Sequence, residues 1–596
     1  MRFQQLSEYF SKIEATTLRN EKMEILSELL SEVEGEEVSQ VIYLALGRLR
    51  PKFDRLEFSM AERMIVRAVA RVVGKSVEEV TQEYKRMGDL GEVFRRVSVS
   101  ARQSVSGDLS VGEVYERLEK IAKMGGTGSQ EHKVEGLRSL LADLDPESAG
   151  YVLRIILTKL RLGFSDKTVL DALSYMQYGS KEGRTILDSA YQAFPDVGRI
   201  AEVAKKSGVE KLPDLVGIQM GTPVMSALAQ RVKTADEMVK KMGKVVCESK
   251  FDGQRVQIHY SRNKVPNTRH EQGSELREQG GLFAEEEEKK DWVRTFTRNL
   301  DENSAMFPEL ARVGDELSVN EVILDAEAVG YDPKTHEMLP FQMTIKRKRK
   351  HSIGEIAKEV PLKFYVFDIM YLDGKSLLTT PLIERRAILE KIIESDPENV
   401  LVLDDYLVSE NPDEIREYHA LQLSKGLEGA MIKKIDGGYL PGRQDYNWVK
   451  FKEAEGSEAK LSDTLDVVIM GYYKGKGKRA KFRLGALLVG VRDGEKILTI
   501  AKIGTGITDA KFLEFGKSLK KIESEEKNNE YEVTKIHIPD VWVEPEIVIE
   551  VAADEITKSP AHSSGMALRF PRLIRVRTDK DLDGVTTVEE VREISG

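Results

Sequence analysis

The chain has 596 residues, 41% of them hydrophobic and 32% charged, with a formal net charge of −10 at pH 7. That balance fits a soluble chain of several domains and excludes a fibrous or wholly disordered one; no run approaches the ~18 apolar residues of a membrane helix. A single cysteine, Cys247, excludes an internal disulfide and a cysteine-rich zinc site. The opening MRFQQLSEYFSKIEATTLRNEK has no apolar core of signal-peptide type, so a cytoplasmic location is expected. The acidic balance gives no global support for nucleic-acid binding, which depends on local patches.

Residues 1–217 predict an all-α domain. Val134, Leu137, Leu141 and Leu144 recur at helical spacing before Asp145-Pro146 stops the run, and similar spacing recurs over Met23–Val33 and Tyr151–Leu162. Gly125, Gly126, Thr127, Gly128 and Ser129 punctuate the pattern just before a helix. Their amides could meet a phosphate, or they form an ordinary inter-helix loop. Residues 218–455 predict an α+β domain, with strand-like runs at Val245–Lys250, Val322–Glu327 and Phe364–Asp368 and a helix over Leu382–Ile393. The polar stretch 263–291 reads as an insert, and Ile345–His351 is a dense cationic run. Residues 456–596 are strand-rich, as expected of a small β-barrel.

The sharpest chemical element is Lys250-Phe251-Asp252-Gly253-Gln254-Arg255, a lysine at a strand end before an Asp-Gly turn. Such a lysine attacks only when neutral. At a pKa near ~10.4, roughly 4 in 10,000 amines are neutral at pH 7, so a nucleophilic role requires nearby cations or desolvation. A surface lysine before a hairpin turn is the alternative. Alternation puts Glu248 and Lys250 on one strand face. Asp325 and Glu327 share a face within an apolar run, where acids are costly unless they meet a cation or a donor. Glu428-Gly429 precedes the apolar strand Ala430-Met431-Ile432, and Lys450 and Lys452 share a face that could supply positive charge.

In order along the chain, KFDGQR (250–255), FTRNL (296–300), LDAEAV (324–329), FYVFDIMYLDG (364–374), EGAMIKK (428–434), NWVKFK (447–452) and RFPRLIRVRTDK (569–580) resemble the motif series of nucleotidyltransferases that form a covalent lysyl-nucleotide. The series, with GGTGSQEHK (125–133) and LTKLRLGF (157–164), is most similar to the ATP-dependent DNA ligases of archaeal and eukaryotic replicative type. The resemblance implies a helical DNA-binding domain, an adenylation domain and a C-terminal OB-fold. It implies that Lys250 attacks the α-phosphate of ATP and that Glu248 reads the adenine amino group. Arg255, Arg298 and Glu327 would hold ribose and phosphates, and Phe367 would stack on adenine. Glu327 and Glu428 would hold Mg²⁺, or Mn²⁺ in its place. Lys450 and Lys452 would contact the AMP phosphate, while Arg577 and Lys580 would orient pyrophosphate. The implied reaction seals nicks in duplex DNA in replication, repair and recombination.

Implied DNA contacts are the 125–129 loop with Lys159 and Arg161, the cationic run 346–350, and the segment 474–483 with Lys478, Arg479 and Lys481. A C-terminal domain that swings between ATP and DNA and a monomeric enzyme are also expected. Two features depart from the family pattern. The gap between Lys250 and Arg298 is long, and Gln444 stands where the family usually has arginine. A capping-type or RNA-ligase enzyme shares the lysine chemistry but is not expected to carry the large helical domain. An NAD-dependent ligase would need a four-cysteine zinc module, and a silent nick-binding scaffold would not need the intact motif set. A sliding clamp is a further candidate partner, although QQLSEYF lacks the spacing of a clamp-binding box.

Overall fold

The computed structural model describes residues 1–596 except 55, 101–108, 161, 233, 263–290, 336, 345–346, 348–355, 358, 395, 397, 443, 452–463, 476–483, 505–506, 508, 554 and 596. The chain forms two compact units, Met1–Lys452 and Glu453–Gly596.

The first unit begins with helices around one apolar core. In the helix Val111–Lys123, Val111, Val114, Leu118 and Ile121 are buried on one stripe, and Ser110 and Glu113 form a reciprocal capping box. The helix Glu62–Val73 buries Ile65, Ala68, Val69 and Val73 and stops at Gly74, whose φ of +66° suits glycine. The first helix, Phe3–Ala15, buries Phe3, Leu6, Tyr9 and Phe10, so the aromatic residues of QQLSEYF belong to the core.

Strands β1 (Leu228–Val232), β2 (Val245–Ser249), β3 (Gln254–Ser261), β4 (Trp292–Thr297), β5 (Glu321–Gly330), β6 (Leu362–Leu372), β7 (Lys375–Ser376), β8 (Leu401–Leu403), β9 (Tyr406–Ser409), β10 (Ala430–Lys434) and β11 (Gln444–Phe451) follow. They build two sheets, ordered β1-β11-β10-β2-β9 and β4-β3-β5-β6-β7, with β8 added beside β6. Alternation along β5 divides its side chains. Val322, Leu324, Ala326 and Ala328 pack into one apolar cluster, while Ile323 faces a second cluster that includes Trp448 from the other sheet and Tyr439 from the β10–β11 connection. Asp325 and Glu327 share the face of Ile323.

The chain passes between helices and sheets over residues 217–227, and β3 fixes that passage. Gln257 accepts from the Val224 N–H at 2.7 Å and donates to its carbonyl at 3.0 Å; His259 Nδ1 accepts from the Gly221 N–H at 3.2 Å. Burial pushes the His259 imidazole down to about 3, so it is neutral, and its Nε2–H meets Gln257 Oε1 at 3.0 Å. Met225 N–H donates to Gln192 O at 2.9 Å on the helical side.

The second unit is β-rich. Its larger sheet runs β15-β17-β12-β13-β14-β16 with β18 and β21 attached: β12 (Leu465–Tyr473), β13 (Ala486–Asp493), β14 (Lys496–Ile503), β15 (Glu523–Ser524), β16 (Tyr531–Glu532), β17 (Val541–Val543), β18 (Val548–Ala552) and β21 (Arg572–Val576). The hairpin β19 (Glu555–Lys558)–β20 (Met566–Arg569) and the helices Asp509–Leu519 and Val588–Ser595 complete it. β12 is buried on both faces: Val467 and Ile469 enter one apolar cluster, Val468 and Met470 another.

One reading of the cationic run is corrected. Arg347 is 2% exposed, and its guanidinium donates to Val360 O, Met306 O and Glu309 Oε2. It is an internal cap on chain carbonyls and presents no charge to a phosphate. The remaining lysines and arginines of that run lie outside the described residues, as do Arg161, Lys452, Lys478, Arg479, Lys481 and the 263–291 stretch up to Asp291. Among the described residues no helix is long and apolar enough to cross a membrane.

Candidate functional site

Lys250 follows the last residue of β2. Its N–H donates to Gly429 O at 2.9 Å, and the Glu428 N–H donates back to Lys250 O at 3.1 Å. The antiparallel ladder of β2 with β10 therefore runs past both strand ends and brings Glu428 against the lysine. The Glu428 carboxylate forms an ion pair with Lys250 Nζ. The reading from sequence called for cations near Lys250; the ladder also sets a carboxylate directly against it. Gly429 has a φ of +112°, and a Cβ there would lie 2.2 Å from the His419 ring, so the turn requires glycine. Behind the lysine, Asp404 accepts from Ser249 N–H at 2.8 Å and Ser249 Oγ at 3.0 Å; burial pushes its carboxyl up to about 6.

Lys250 opens onto a cleft of about 1000 Å³, also lined by Glu248, Arg255, Arg298, Glu327, Phe367, Glu428 and Lys450. The structure thus brings together all the predicted nucleotide-site residues of the first unit that it describes. Arg255 does not stand free in the cleft. It grips Asp325 through Nε at 3.0 Å and Nη2 at 2.6 Å, donates to Ala227 O at 3.0 Å, and lies over the Phe367 and Trp448 rings. Tyr439 OH completes the cluster, donating to Asp325 Oδ2 at 2.7 Å. Burial pushes the Glu327 carboxyl up to about 7, against the opposing pull of Arg255 and Lys250.

The floor of the cleft holds a buried ladder of charges. Glu248 meets Lys433 Nζ at 2.6 Å and Arg386 at 3.3 Å; Lys433 reaches Asp368 at 3.8 Å, and Asp368 accepts from Arg385 Nε at 2.7 Å. These five side chains are all 2% exposed or less. Burial alone would favour protonated acids; the flanking cations hold Asp368 below the ordinary carboxylate range. Lys433 Nζ also donates to Phe367 O at 2.9 Å and lies 4.2 Å from the Trp448 ring centroid. Sequence reasoning missed Lys433, Arg386, Asp368 and Arg385. The signal was the one used for Asp325: Asp368 and Lys433 are charges inside apolar strands.

In the second unit Arg577 and Lys580 share one partner. Arg577 Nη1 lies 2.9 and 3.0 Å from the two oxygens of Asp466, and Lys580 Nζ lies 2.7 Å from its Oδ2. Asp579 takes the other edge of Arg577 at 2.9 and 2.8 Å. That contact holds the Asp579 carboxyl below its ordinary range.

Among the described residues no cluster of three or more His, Cys, Asp or Glu could cage a metal. Glu327 and Glu428 are hard oxygen donors in one cleft, a set that suits Mg²⁺, which takes one or two carboxylates and completes its shell with water and substrate phosphates. On the helical domain, the glycine-rich loop precedes the helix Ser129–Ala142, with Gly126 and Gly128 at φ of +82° and +80°. Lys159 Nζ meets Tyr84 OH at 2.5 Å and Glu62 at 3.5 Å.

Family models described as "DNA ligase N terminus", "ATP dependent DNA ligase domain" and "ATP dependent DNA ligase C terminal region" match residues 2–174, 226–452 and 480–580. The chain is 40% identical over 605 residues to a "Probable DNA ligase" of Dictyoglomus turgidum, covering 100% of this chain and 97% of that protein. It is 35% identical over 615 residues to a "DNA ligase" of Pyrobaculum calidifontis, covering 100% and 98%. The solved structure described as "Pmar-Lig_PreS3" shares the fold, with a TM-score of 0.52 at 17% identity over 96% of this chain and 99% of that one. With its helical N-terminal part, its two-sheet cleft around Lys250 and its β-rich C-terminal unit, the chain belongs to the ATP-dependent DNA ligase family.

Proposed function

We propose that Lys250 is the residue that carries AMP. In this reading its amine attacks the α-phosphorus of ATP, an N–P bond forms, the bond to pyrophosphate breaks, and the amine gives up a proton. A 5′-phosphate oxygen at a nick then attacks the same phosphorus and Lys250 leaves as the amine. The 3′-hydroxyl finally attacks the 5′-phosphorus and expels AMP. The observation that carries this reading is the backbone and side-chain pairing of Lys250 with Glu428 in a cleft that also holds Glu248, Glu327, Phe367 and Lys450.

Glu248, ion-paired with Lys433 and Arg386, accepts from the adenine amino group, and Phe367 stacks on the base. Arg255 presents the Asp325–Tyr439 cluster to the ribose, and Arg298 reaches a phosphate. Glu327 and Glu428 would hold Mg²⁺, with Mn²⁺ as a substitute, and the ion offsets triphosphate charge when bound. Lys450, with Lys452, stabilises charge developing on the α-phosphate. Arg577 and Lys580 orient pyrophosphate from the C-terminal unit, which takes the role of a mobile OB-fold.

The reading divides the chain at 217 and 455 into DNA-binding, adenylation and OB-fold domains. Nicked duplex DNA is gripped as phosphate charge, through the 125–129 loop and Lys159 among the described residues, so its affinity should fall steeply with salt. We assign the enzyme a monomeric state and work on chromosomal DNA in replication and repair.

The test is intact mass after pyrophosphate treatment, then ATP and Mg²⁺, with GTP and NAD⁺ in parallel. One added AMP from ATP alone, absent in Lys250→Ala, and transfer of that AMP to a nicked duplex are expected. A gain from GTP, or a gain retained in Lys250→Ala, would overturn the reading.

A further inference from the structure

A second cleft, of about 420 Å³, adjoins the nucleotide cleft and shares Arg255, Arg298, Met431, Trp448 and Lys450 with it. Lys250, Glu327 and Glu428 do not line it; Arg231 does. Nothing in the sequence singled out Arg231. It stands on β1, which pairs in parallel with β11, and the register sets Arg231 opposite Lys450. That register is irregular. Ala229 pairs with Asp445 and Gln230 with Val449, so β11 carries extra residues there. Such irregularities re-aim side chains and gather next to active sites. Parallel partners point to the same side, so Arg231 and Lys450 form one cationic edge, which Arg298 extends.

Arg231 is exposed, and neither it nor Arg298 has a charged or hydrogen-bonded partner among the described residues. The contrast with Arg255, Arg385 and Arg386 is sharp, since each of those is spent on a buried carboxylate. Uncommitted guanidinium groups at the mouth of a nucleotide cleft fit a phosphate monoester, which each can bind through two N–H donors.

We infer that Arg231, with Arg298 and Lys450, seats the terminal 5′-phosphate of the nicked strand that accepts AMP. The inference rests on the reading of Lys250 as the AMP carrier. In both of the steps that use Lys250 the group opposite it is a phosphate, first the departing pyrophosphate and then the attacking 5′-phosphate. Pyrophosphate already has cations assigned to it, Arg577 and Lys580. The acceptor has none besides this edge. In the transfer step the 5′-phosphate oxygen forms a new bond to the AMP phosphorus, the N–P bond to Lys250 breaks, and the lysine takes up a proton. Arg231 holds the attacking phosphate in line and disperses its charge; no bond to Arg231 changes.

The experiment uses the full chain, charged with AMP beforehand, in a single-turnover transfer to a nicked duplex with a 5′-phosphate. Self-adenylylation over a range of ATP concentrations runs in parallel. Arg231→Ala should slow transfer about tenfold to a hundredfold more than it slows self-adenylylation, the scale of one charge-assisted hydrogen-bond pair. It should also erase the preference for 5′-phosphate over 5′-hydroxyl nicks in binding, and Arg231→Lys should restore part of both. A raised KM for ATP with transfer unchanged would assign the seat to the triphosphate and overturn the inference. No change in either step would overturn it too. Arg298→Ala separates the two failures: if it also leaves both steps intact, the reading of the whole cleft falls, and if it does not, only the assignment of Arg231 falls.

Discussion

The cleft floor and the C-terminal cationic motif hold their charges in opposite ways. On the floor, Arg386, Glu248, Lys433, Asp368 and Arg385 alternate in sign and are 2% exposed or less. In the C-terminal unit Arg577 is 13% exposed, Lys580 34% and Asp579 64%. Buried charges cannot exchange partners cheaply, because each would pass through an unpaired state in low dielectric. Partly exposed charges can, because water takes over. The pairs on the cleft floor are therefore fixed before any ligand arrives, and the C-terminal cations can trade a carboxylate for another anion.

The largest test of that contrast is Lys433→Met. It leaves Glu248 and Asp368 buried beside one arginine each, and loss of one member of a buried ion network costs about 3–5 kcal/mol. A fall of that size in unfolding free energy is expected, with ATP discrimination against GTP falling alongside it. A variant destabilised by less than ~1 kcal/mol would show that the ladder is open to water, and the contrast would fail.

A pH titration sharpens the same point for the passage between helices and sheets. His259 is fully buried and titrates near 3, against ~6.5 in an unfolded chain. Its folded pKa is depressed, so between these values the unfolded chain takes up a proton that the folded chain refuses. Its contribution to stability is complete above about 6.5 and falls by about 1.4 kcal/mol per pH unit toward pH 3. His259→Asn keeps an acceptor for the Gly221 N–H and removes the titration, so its acid limb should be shallower. Equal slopes in denaturant titrations from pH 7 to 4 would show that His259 reaches water.

How much of this was legible in the sequence follows from the same physics. Asp325 and Glu327 stood out as acids in an apolar run, and strand alternation did place them on one face, where Glu327 lines the cleft and Asp325 is held by Arg255 and Tyr439. Lys250, Glu248, Phe367, Glu428 and Lys450 were read from local motifs and meet in one cleft. The floor ladder was not read, because its members come from separate strands and a helix, and each charge makes sense only beside the next. Arg347 was misread because a run of cations looks solvated, whereas packing turned this one onto internal carbonyls. Arg231 became visible only once β1 was seen to pair with β11, far away in sequence.

The smallest effect belongs to the exposed end. Asp466 holds both Arg577 and Lys580, and with Asp579 it balances their charge. A pyrophosphate or triphosphate that uses these cations must displace the carboxylate first. Asp466→Asn keeps an acceptor oxygen at the position but removes the negative charge, so the displacement costs less. The KM for pyrophosphate in discharging the adenylylated enzyme should fall roughly two- to fivefold, the scale of a partly exposed ion pair, and the difference should shrink with added salt. Thermal stability should hardly move, since Arg577 keeps Asp579 and Lys580 keeps the Gly584 carbonyl and water as partners. A KM that rises instead would mean that Asp466 aligns Arg577 and Lys580 for phosphate and does not compete with it, and the exposed end would then be as fixed as the cleft floor.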